Sequence, residues 1–401
     1  MLEKLVAEAK EFEEQLIRDY QNLHRCAETG FELTKTKAYV EKCLRRMGYE
    51  PKVCGKCGLV ASAGNPADGK VFLLRADMDA LPVREETGLA FAATTGCMHA
   101  CGHDMHTTML LGAAQLLKKH ESELQGNVKL MFQPAEELLE GARDMVEAGV
   151  LENPGVDAAM MIHVMAGIPL KTGSVVVAPP GVSAPAADFF TIRIQGKGCH
   201  GSTPHQGVDS LTVAAHILIA LQELQAREMA ISDEAVLTIG RMAGGSAANV
   251  IADTAAMEGT LRCYQEELRI RLKQRICEIV GGIAGTFRAK AEVLFTSECP
   301  TLINDAKLVK AVTNYTKRLL GEEWVQVSES ILGSGKMSGS EDFAYVSQQV
   351  PSVMLALAAD GEGNDYPLHH PKVRFDTGVL AVGSAVYAGN AIAWLQEHGE
   401  M

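Results

Sequence analysis

Two thiols, three imidazoles and one carboxylate occur within the eleven residues Gly96-Cys97-Met98-His99-Ala100-Cys101-Gly102-His103-Asp104-Met105-His106. These groups are common ligands of borderline-soft divalent metals. Gly102 allows the backbone to bend, so that Cys101 and His103 can face one point. An apolar helical run, Thr107–Leu117, follows at once, and its N-terminal dipole favours a thiolate over a thiol. A buried loop with reduced cysteines is the alternative, but the density of ligands favours a metal site.

The segments on either side of this stretch predict an α/β domain whose polar residues meet at one edge of a sheet. Residues 1–48 are predicted to form two helices, and 377–398 one long helix. Apolar strands are predicted over 70–75, 127–132 and 158–162. Open α/β sheets place their sites at the carboxyl ends of such strands. The side chains that we expect at this edge are Asp77, Asp79, Glu136, Glu137 and His163.

The order βαββαβ between residues 187 and 296 predicts a second, ferredoxin-like unit. The composition changes at Ala178-Pro179-Pro180-Gly181, and the residues after Pro300 return to the style of the first domain. We therefore expect an αβα domain with a mainly parallel central sheet over 1–184 and 298–401, interrupted by an inserted domain over 185–297. Because the chain crosses between the domains at two thin connections, rigid-body closure is expected.

Composition excludes several classes of partner. The formal net charge of the 401 residues is -13, without a compensating basic stripe, which argues against nucleic acid. No uninterrupted apolar run approaches the roughly 18 residues that span a bilayer. Residues 1–23 do not resemble a signal peptide, so the ten cysteines predict reduced thiols and a cytoplasmic protein. Cys54 and Cys57 have zinc-ribbon spacing but no matching second pair, which favours a turn.

Several motifs together resemble one family. They are Arg75-Ala76-Asp77-Met78-Asp79-Ala80, Met98-His99-Ala100-Cys101-Gly102-His103-Asp104, Gln133-Pro134-Ala135-Glu136-Glu137, His163 and His369. They resemble the binuclear-metal amidohydrolase family of carboxypeptidase G and aminoacylase. The match is closest to its Cys-bridged branch, which includes hippurate hydrolases, auxin-conjugate hydrolases and N-acyl-amino-acid amidohydrolases. The resemblance covers essentially the whole chain.

This resemblance implies two divalent metal ions per subunit, zinc or manganese, although cobalt or nickel would also fit. Cys101 would bridge them, with Glu137 and His369 on one ion and His103 and His163 on the other. Such a site is net positive, which lowers the pKa of a bound water and polarises an amide carbonyl. Glu136 would be the general base. The alternative for Glu136 and Glu137 is a solvated helix start.

Other polar residues of the same motifs have less defined roles. Sister branches have a metal-binding His at the position of Asp77, so Asp77 and Asp79 are expected behind the ligands, where they orient imidazoles. Asp104 is placed with them, but a structural acceptor or helix cap is equally compatible with the sequence. His99 and His106 are interpreted as structural rather than as ligands, because the shells are already filled.

In the inserted domain, the family pattern implies that His200 reaches the active site of the other subunit and stabilises the oxyanion. This requires a homodimer formed through the inserted domain, which would also act as a lid. Asn249 and Arg262 match positions that hold the substrate carboxylate, although Arg262 could instead pair with a surface acid. The role of His205 stays open. The segment Ser340-Glu341-Asp342-Phe343 is predicted to shape a loop, with Ser340 and Asp342 as local caps.

The leading functional prediction is hydrolysis of N-acyl amino acids, N-acetyl or N-aroyl, to a carboxylic acid and an amino acid. A dipeptidase or carboxypeptidase on the same scaffold is the second. A metal-binding or ligand-binding relative without catalysis is the third, and the intact Glu136 argues against it.

Overall fold

The computed structural model describes residues 2–65, 69–327 and 336–399. The chain forms two compact units. The first unit contains the described residues of Met1–Ser183, Leu302–Met337 and Glu341–Met401. The inserted unit contains Ala184–Thr301 together with Ser338–Ser340.

The strands of the described residues are β1 (Lys52–Cys54), β2 (Gly58–Gly64), β3 (Lys70–Asp77), β4 (Gly126–Gln133), β5 (Ala158–Met165), β6 (Val175–Val177), β7 (Gly181–Ala184), β8 (Ala186–Gln195), β9 (Cys199–His200), β10 (Ala235–Gly244), β11 (Val250–Ile251), β12 (Thr254–Cys263), β13 (Lys290–Cys299), β14 (Leu302–Asn304), β15 (Val325–Val327) and β16 (Ser352–Ala358). The α-helices are α1 (Leu5–Lys10), α2 (Glu13–Cys26), α3 (Thr34–Arg46), α4 (His103–Lys119), α5 (Gly141–Glu147), α6 (Ser210–Glu223), α7 (Glu266–Thr286), α8 (Ala306–Leu320), α9 (Ala344–Ser347) and α10 (Leu380–His398). Short 3-10 helices lie at Leu2–Lys4, Glu121–Glu123, Pro204–Gln206, Glu322–Trp324 and Thr377–Val379, and a π-helical turn lies at Leu224–Glu228.

The first unit is built on a sheet with the strand order β1-β2-β4-β3-β5-β16-β6-β15. Its four central strands, β4, β3, β5 and β16, are parallel to one another, whereas β1 and β2 pair antiparallel with their neighbours. Strand β6 pairs antiparallel with β16 and parallel with β15. Nearly every residue of β3, β4 and β5 is buried, as expected for strands covered on both faces. The prediction of an α/β fold with a largely parallel central sheet is confirmed.

Helix α10 lies in the core of this unit. The Trp394 ring packs 5.1 Å from that of Phe72, and the Tyr387 hydroxyl donates to the Arg75 carbonyl of β3 at 2.7 Å. Among the described residues, Thr377–His398 is the one helical segment long and apolar enough to cross a membrane, and 89% of its most apolar window is buried. This burial explains its apolar composition, because a helix surrounded by core is apolar on every side.

The inserted unit has its own sheet and its own core. Its four long strands are antiparallel in the order β10-β12-β8-β13. Helices α6 and α7 contribute Ile217, Leu272 and Ile276 to a separate apolar cluster with the inner sheet face. Helix α6 begins at Asp209, whose carboxylate accepts the Leu211 N–H. The order of elements is βαββαβ, which is the ferredoxin-like pattern.

Two local predictions are wrong. The first 48 residues form three α-helices instead of two, because the chain turns at Phe12, which leaves the helical conformation and packs its ring against the core. His163 lies within β5, since that strand continues to Met165 and pairs there with β16. The predicted strand ended at His163 because the run of apolar residues stops there.

Candidate active site

Cys101 lies at the centre of a cluster of polar side chains in the first unit, of which His103 and His163 are buried and His369 is exposed. Its Sγ atom is 3.5 Å from Nε2 of His163 and 3.2 Å from Nε2 of His369. Gly102, the next residue, has φ +83°, and a Cβ atom there would lie 2.3 Å from Cγ2 of Val164. Glycine is therefore required where the loop turns into α4.

His369 reaches the cluster from a loop that follows β16. Its backbone has φ 68°, a left-handed conformation that costs energy for a residue with a side chain. The N–H group of His369 donates to the carbonyl of Ala100 at 2.8 Å, so it is fixed to the loop that carries Cys101. Strain of this kind persists only where the surrounding structure holds it.

His103 is the first residue of α4 and presents one nitrogen to the cluster. Its Nδ1–H donates to the carbonyl of Asp79 at 2.9 Å, which leaves a lone pair on Nε2. The Nε2 atom is buried and has no hydrogen-bond partner among the described residues. It lies 3.7 Å from Oε2 of Glu136 and 3.8 Å from Oε1 of Glu137.

Glu136 and Glu137 follow β4 on a tightly held loop. The Asp79 carboxylate accepts the backbone N–H of Glu136 at 3.0 Å and that of Glu137 at 3.3 Å. The preceding Ala135 has φ 53°, and its N–H donates to the Gly30 carbonyl at 3.1 Å. Asp79 thus positions both acidic residues through their backbone and also lies 3.5 Å from Nδ1 of His103.

The donor atoms fit two divalent cations. Cys101, His103 and His163 form one group and Cys101, Glu137 and His369 a second, and the ligand atoms within each group lie within 4.8 Å of one another. Cys101 is common to both. His103 Nε2 and Glu137 Oε1 are buried and form no hydrogen bond with any residue that the structure describes, a condition that bound cations would relieve. Thiolate, imidazole and carboxylate are suitable ligands for zinc and related ions.

The electrostatics of the cluster also favour added positive charge. Burial raises the pKa of the Cys101 thiol and, together with Glu341, raises the pKa of Glu136 well above its usual range. Burial and the nearby Asp79 and Asp77 raise the pKa of Glu137 to about 7. In the absence of cations the site therefore tends to take up protons, and bound metal ions would compensate the same negative charge.

A buried network around Arg75 was missed by the sequence analysis. Arg75 donates to Oε1 of Gln133 at 2.8 Å, to Oδ2 of Asp77 at 2.7 Å and to Oδ1 of Asp342 at 2.9 Å, and its guanidinium pairs with Glu341 at 2.9 Å. The Asp342 carboxylate also accepts the Ala142 N–H at the start of α5, at 2.8 Å. The prediction of Asp342 as a local cap is wrong, because its partners lie about 200 or more residues away.

Asp77 and Asp104 each accept a hydrogen bond from a histidine that is not in either ligand group. Oδ1 of Asp77 lies 2.6 Å from Nδ1 of His106, whereas Nε2 of the predicted ligand His103 is 3.8 Å from Oδ2. Oδ2 of Asp104 lies 2.7 Å from Nδ1 of His24, and Oδ1 accepts the Met105 N–H. Asp104 thus accepts hydrogen bonds from His24 and from the first turn of α4. Its role in orienting the ligands stays a prediction. His99 is fully buried.

The residues predicted to bind substrate belong to the inserted unit. His200 and Asn249 are exposed and adjacent, because β9 pairs with β11 and the Gly201 N–H donates to the Asn249 carbonyl at 2.7 Å. Nδ1 of His200 accepts the Ser202 N–H at 3.1 Å, so a neutral ring carries its proton on the outward Nε2. His205 lies in the 3-10 turn Pro204–Gln206.

Arg262 lies on β12 and is half-buried. Its Nη1 donates to the Ser340 hydroxyl at 2.5 Å, and its guanidinium lies 6.0 Å from the centre of the Phe189 ring. The hydrogen-bond partner is thus a hydroxyl group and not the surface acid considered from the sequence. A hydroxyl carries no charge, so this hydrogen bond does not neutralise the guanidinium.

Comparisons with known proteins identify the architecture. The model of peptidase family M20/M25/M40 matches residues 73–392. A solved structure from Bacillus subtilis, described as a dinuclear metal-binding peptidase from the M20 family, superimposes with a TM-score of 0.78 at 32% identity, covering 96% of this chain and 99% of that one.

Three curated relatives span nearly the whole chain. An N-acetyl-L-cysteine deacetylase of Bacillus subtilis (strain 168) is 36% identical and covers 94% of this chain and 87% of its own length. An IAA-amino acid hydrolase of Arabidopsis thaliana is 34% identical, with coverage of 98% and 88%. Thermostable carboxypeptidase 1 of Saccharolobus solfataricus is 35% identical, with coverage of 97% for both chains.

Proposed function

The chain belongs to the M20/M25/M40 peptidase family and is a metal-dependent amidohydrolase, and we propose that its substrates are N-acyl amino acids. The reaction would release a carboxylic acid and an amino acid. One observation carries the proposal: the buried carboxylate of Glu136 lies beside the two candidate ligand groups that share Cys101 and belongs to neither of them. Relatives named as an N-acetyl-L-cysteine deacetylase and an IAA-amino acid hydrolase support this substrate class.

The proposed metal ligands are the two groups that share Cys101. Glu137 and His369 would complete one position, and His103 and His163 the other. When bound, the two cations would lower the pKa of a water molecule and polarise the amide carbonyl. Zinc and manganese are the proposed ions, with cobalt and nickel as alternatives that elemental analysis of protein purified without chelators would distinguish.

Glu136 would act as general base and general acid. Its carboxylate would take a proton from the attacking water and deliver it to the leaving amine. The Asp79 carboxylate accepts the backbone N–H groups of both Glu136 and Glu137, which supports the proposal by fixing the backbone of the proposed base beside that of the proposed ligand. Burial of Glu136 keeps solvent water from competing for the transferred proton.

The inserted unit would supply the substrate contacts. Arg262 and Asn249 would bind the substrate carboxylate, since a guanidinium forms two parallel hydrogen bonds to such a group. The exposed Nε2–H of His200 would donate to the oxyanion. As the family resemblance implies, we propose that two copies associate through the inserted unit and that His200 acts on the site of its partner.

A substrate panel tests the proposal. Hippurate, N-acetyl amino acids, an aryl-amide glutamate and dipeptides with a free α-amino group would be compared at equal metal loading. We expect at least about tenfold higher kcat/KM for amides without a free α-amino group. The reason is that the proposed substrate contacts, Arg262, Asn249 and His200, include no carboxylate that would bind the ammonium group of a dipeptide. Failure to cleave any N-acyl amino acid after metal loading would contradict the proposal.

A carboxypeptidase activity is the second candidate, and the thermostable carboxypeptidase relative favours it. The pair Arg262 and Asn249 would serve a C-terminal carboxylate equally well. Peptides longer than two residues discriminate the candidates: removal of their last residue at rates comparable to N-acetyl amino acids supports the carboxypeptidase.

A further inference from the structure

His106 is fully buried in the first unit, and both of its ring nitrogens are hydrogen-bonded. The backbone N–H of Val164 donates to Nε2 at 2.8 Å, so Nε2 carries a lone pair and the ring proton is on Nδ1. The Nδ1–H group donates to Oδ1 of Asp77 at 2.6 Å. His106 with Asp77 and His103 has the composition of a metal site. However, His106 could become a ligand only by breaking one of these bonds.

The ring of His106 contacts both imidazoles that are assigned to one metal position. Its centre lies 4.5 Å from that of His163, with an angle of 64° between the ring planes, and 5.4 Å from that of His103. Val164, whose backbone N–H donates to His106, directly follows His163 on β5. His106 therefore fixes the backbone beside one ligand and packs against the ring of both.

Asp77 holds His106 from the other side and is itself fixed. Its second oxygen accepts from the buried guanidinium of Arg75 at 2.7 Å, and its carbonyl accepts from the Thr107 hydroxyl at 2.7 Å. Arg75 is held in turn by Gln133 at the end of β4. Continuous hydrogen bonds thus connect the rigid central strands to His106.

We propose that His106 is a positioning residue that, held by Asp77 and Arg75, sets the places of the His103 and His163 rings for metal binding. The inference rests on the metal-dependent hydrolysis proposed above and assigns the site a supporting residue. His106 acts through the two ligands and not through the substrate. Supporting residues of this kind commonly contribute 10–100-fold to metal affinity.

Two substitutions and one matched control test the role. His106→Leu removes both hydrogen bonds, whereas His106→Asn places an amide N–H where Nδ1–H was and loses only the Val164 bond. Thr108→Val, on the same buried turn of α4, removes a hydroxyl for which the described part of the chain offers no hydrogen-bond partner. Zinc affinity, measured by competition with a chelator, should fall about 10–100-fold in His106→Leu, less in His106→Asn, and not in Thr108→Val.

Kinetics separate positioning from substrate binding. In the His106 variants at saturating zinc, kcat for an N-acetyl amino acid should fall while KM stays within about twofold, because the substrate contacts are unchanged. Unchanged zinc affinity in folded His106→Leu would overturn the proposal. If that variant does not fold, His106→Asn gives the decision.

A ¹⁵N NMR measurement on the wild-type protein also tests the role of His106. A variant is needed only to assign the signal of this residue. In zinc-loaded wild-type protein labelled with ¹⁵N-histidine, His106 should show a protonated Nδ1 and an unprotonated Nε2 that does not bind metal. A protonated Nε2, or a metal-bound His106, would contradict the inference. Absence of activity on every N-acyl amino acid would refute the proposed function, but the zinc affinity and the ring spectrum would still decide the role of His106.

Discussion

The Nε2 atom of His369 lies 3.2 Å from the Sγ atom of Cys101, although 268 positions separate the two residues in the chain. His163 approaches the same sulfur from β5 at 3.5 Å. A thiolate is a charged ligand that two cations can share. A neutral serine or alanine at the position of Cys101 could not replace it. The sulfur therefore connects two ligand groups that would otherwise be separate.

Cys101→Ala should lose both metal ions and activity together, because the two proposed positions share its sulfur. We expect kcat to fall at least about 100-fold. Loss of a residue that only supports a metal ligand costs up to about this much, and Cys101 is itself a proposed ligand. Elemental analysis and hydrolysis assays on the same preparation check this. Cys97→Ala, on the same loop but outside both ligand groups, should keep metal and rate. A Cys101→Ala protein with full metal content and activity would show that the sulfur does not bridge.

Glu136→Gln should keep the metals and lose turnover. The amide has nearly the same shape but cannot accept a proton, so kcat should fall about 10²–10⁴-fold. The matched control is Glu137→Gln, which should lose metal as well, because that carboxylate belongs to a ligand group. Comparing metal content with rate in both variants separates the two neighbours. Unchanged amide hydrolysis in Glu136→Gln would refute the assigned mechanism.

Much of the fold followed from the sequence, because strand and helix periodicities are local. The inserted unit shows this: the predicted order βαββαβ is found as β8, α6, β10, β12, α7 and β13. The turn at Phe12 did not follow, since tertiary packing of one ring decides it. Strands of two or three residues, such as β6, β9 and β15, carry too few residues for a periodic signal.

The site was only partly readable. Short motifs and their resemblance to one family led to the prediction of Cys101, His103 and Glu136, and the folded chain brings these residues together. Asp342 was misread, because its Arg75 partner is 267 positions away and only the folded sheet brings them together. The arginine within the apolar strand β3 and the acidic pair Glu341-Asp342 could each have suggested a buried ion pair. The local sequence does not specify that these residues are partners of one another.

His24 should make stability depend on pH. Burial disfavours its charge, but hydrogen bonds to Asp104 and Glu85 outweigh this and raise its pKa from 6.5 to about 9. The contribution of charged His24 to the free energy of unfolding is then complete below pH 6.5, declines as the pH rises to about 9 and is absent above that pH. The shift corresponds to on the order of 3 kcal/mol.

Urea unfolding of the wild type and His24→Gln at pH 6 and pH 9.5 measures this effect. The stability advantage of the wild type should be larger at pH 6, and taking the difference between the proteins cancels pH effects common to both. His216→Gln removes an exposed histidine of α6 and serves as the control. An advantage that is equal at both pH values would contradict a charged His24 between the two carboxylates.

His200 should act on the site of the partner subunit. Alone, His200→Ala should lower kcat about 10²–10³-fold without loss of metal, because an oxyanion donor is removed and the ligand groups are intact. Mixing it with Glu136→Gln tests the direction of action. In a mixed dimer, the site with an intact Glu136 receives His200 from the other copy, so one site of the two is complete. Random re-association of equal amounts should restore about a quarter of wild-type activity, since half of the dimers are mixed. If His200 acts within its own subunit, every site carries one defect and mixing restores nothing.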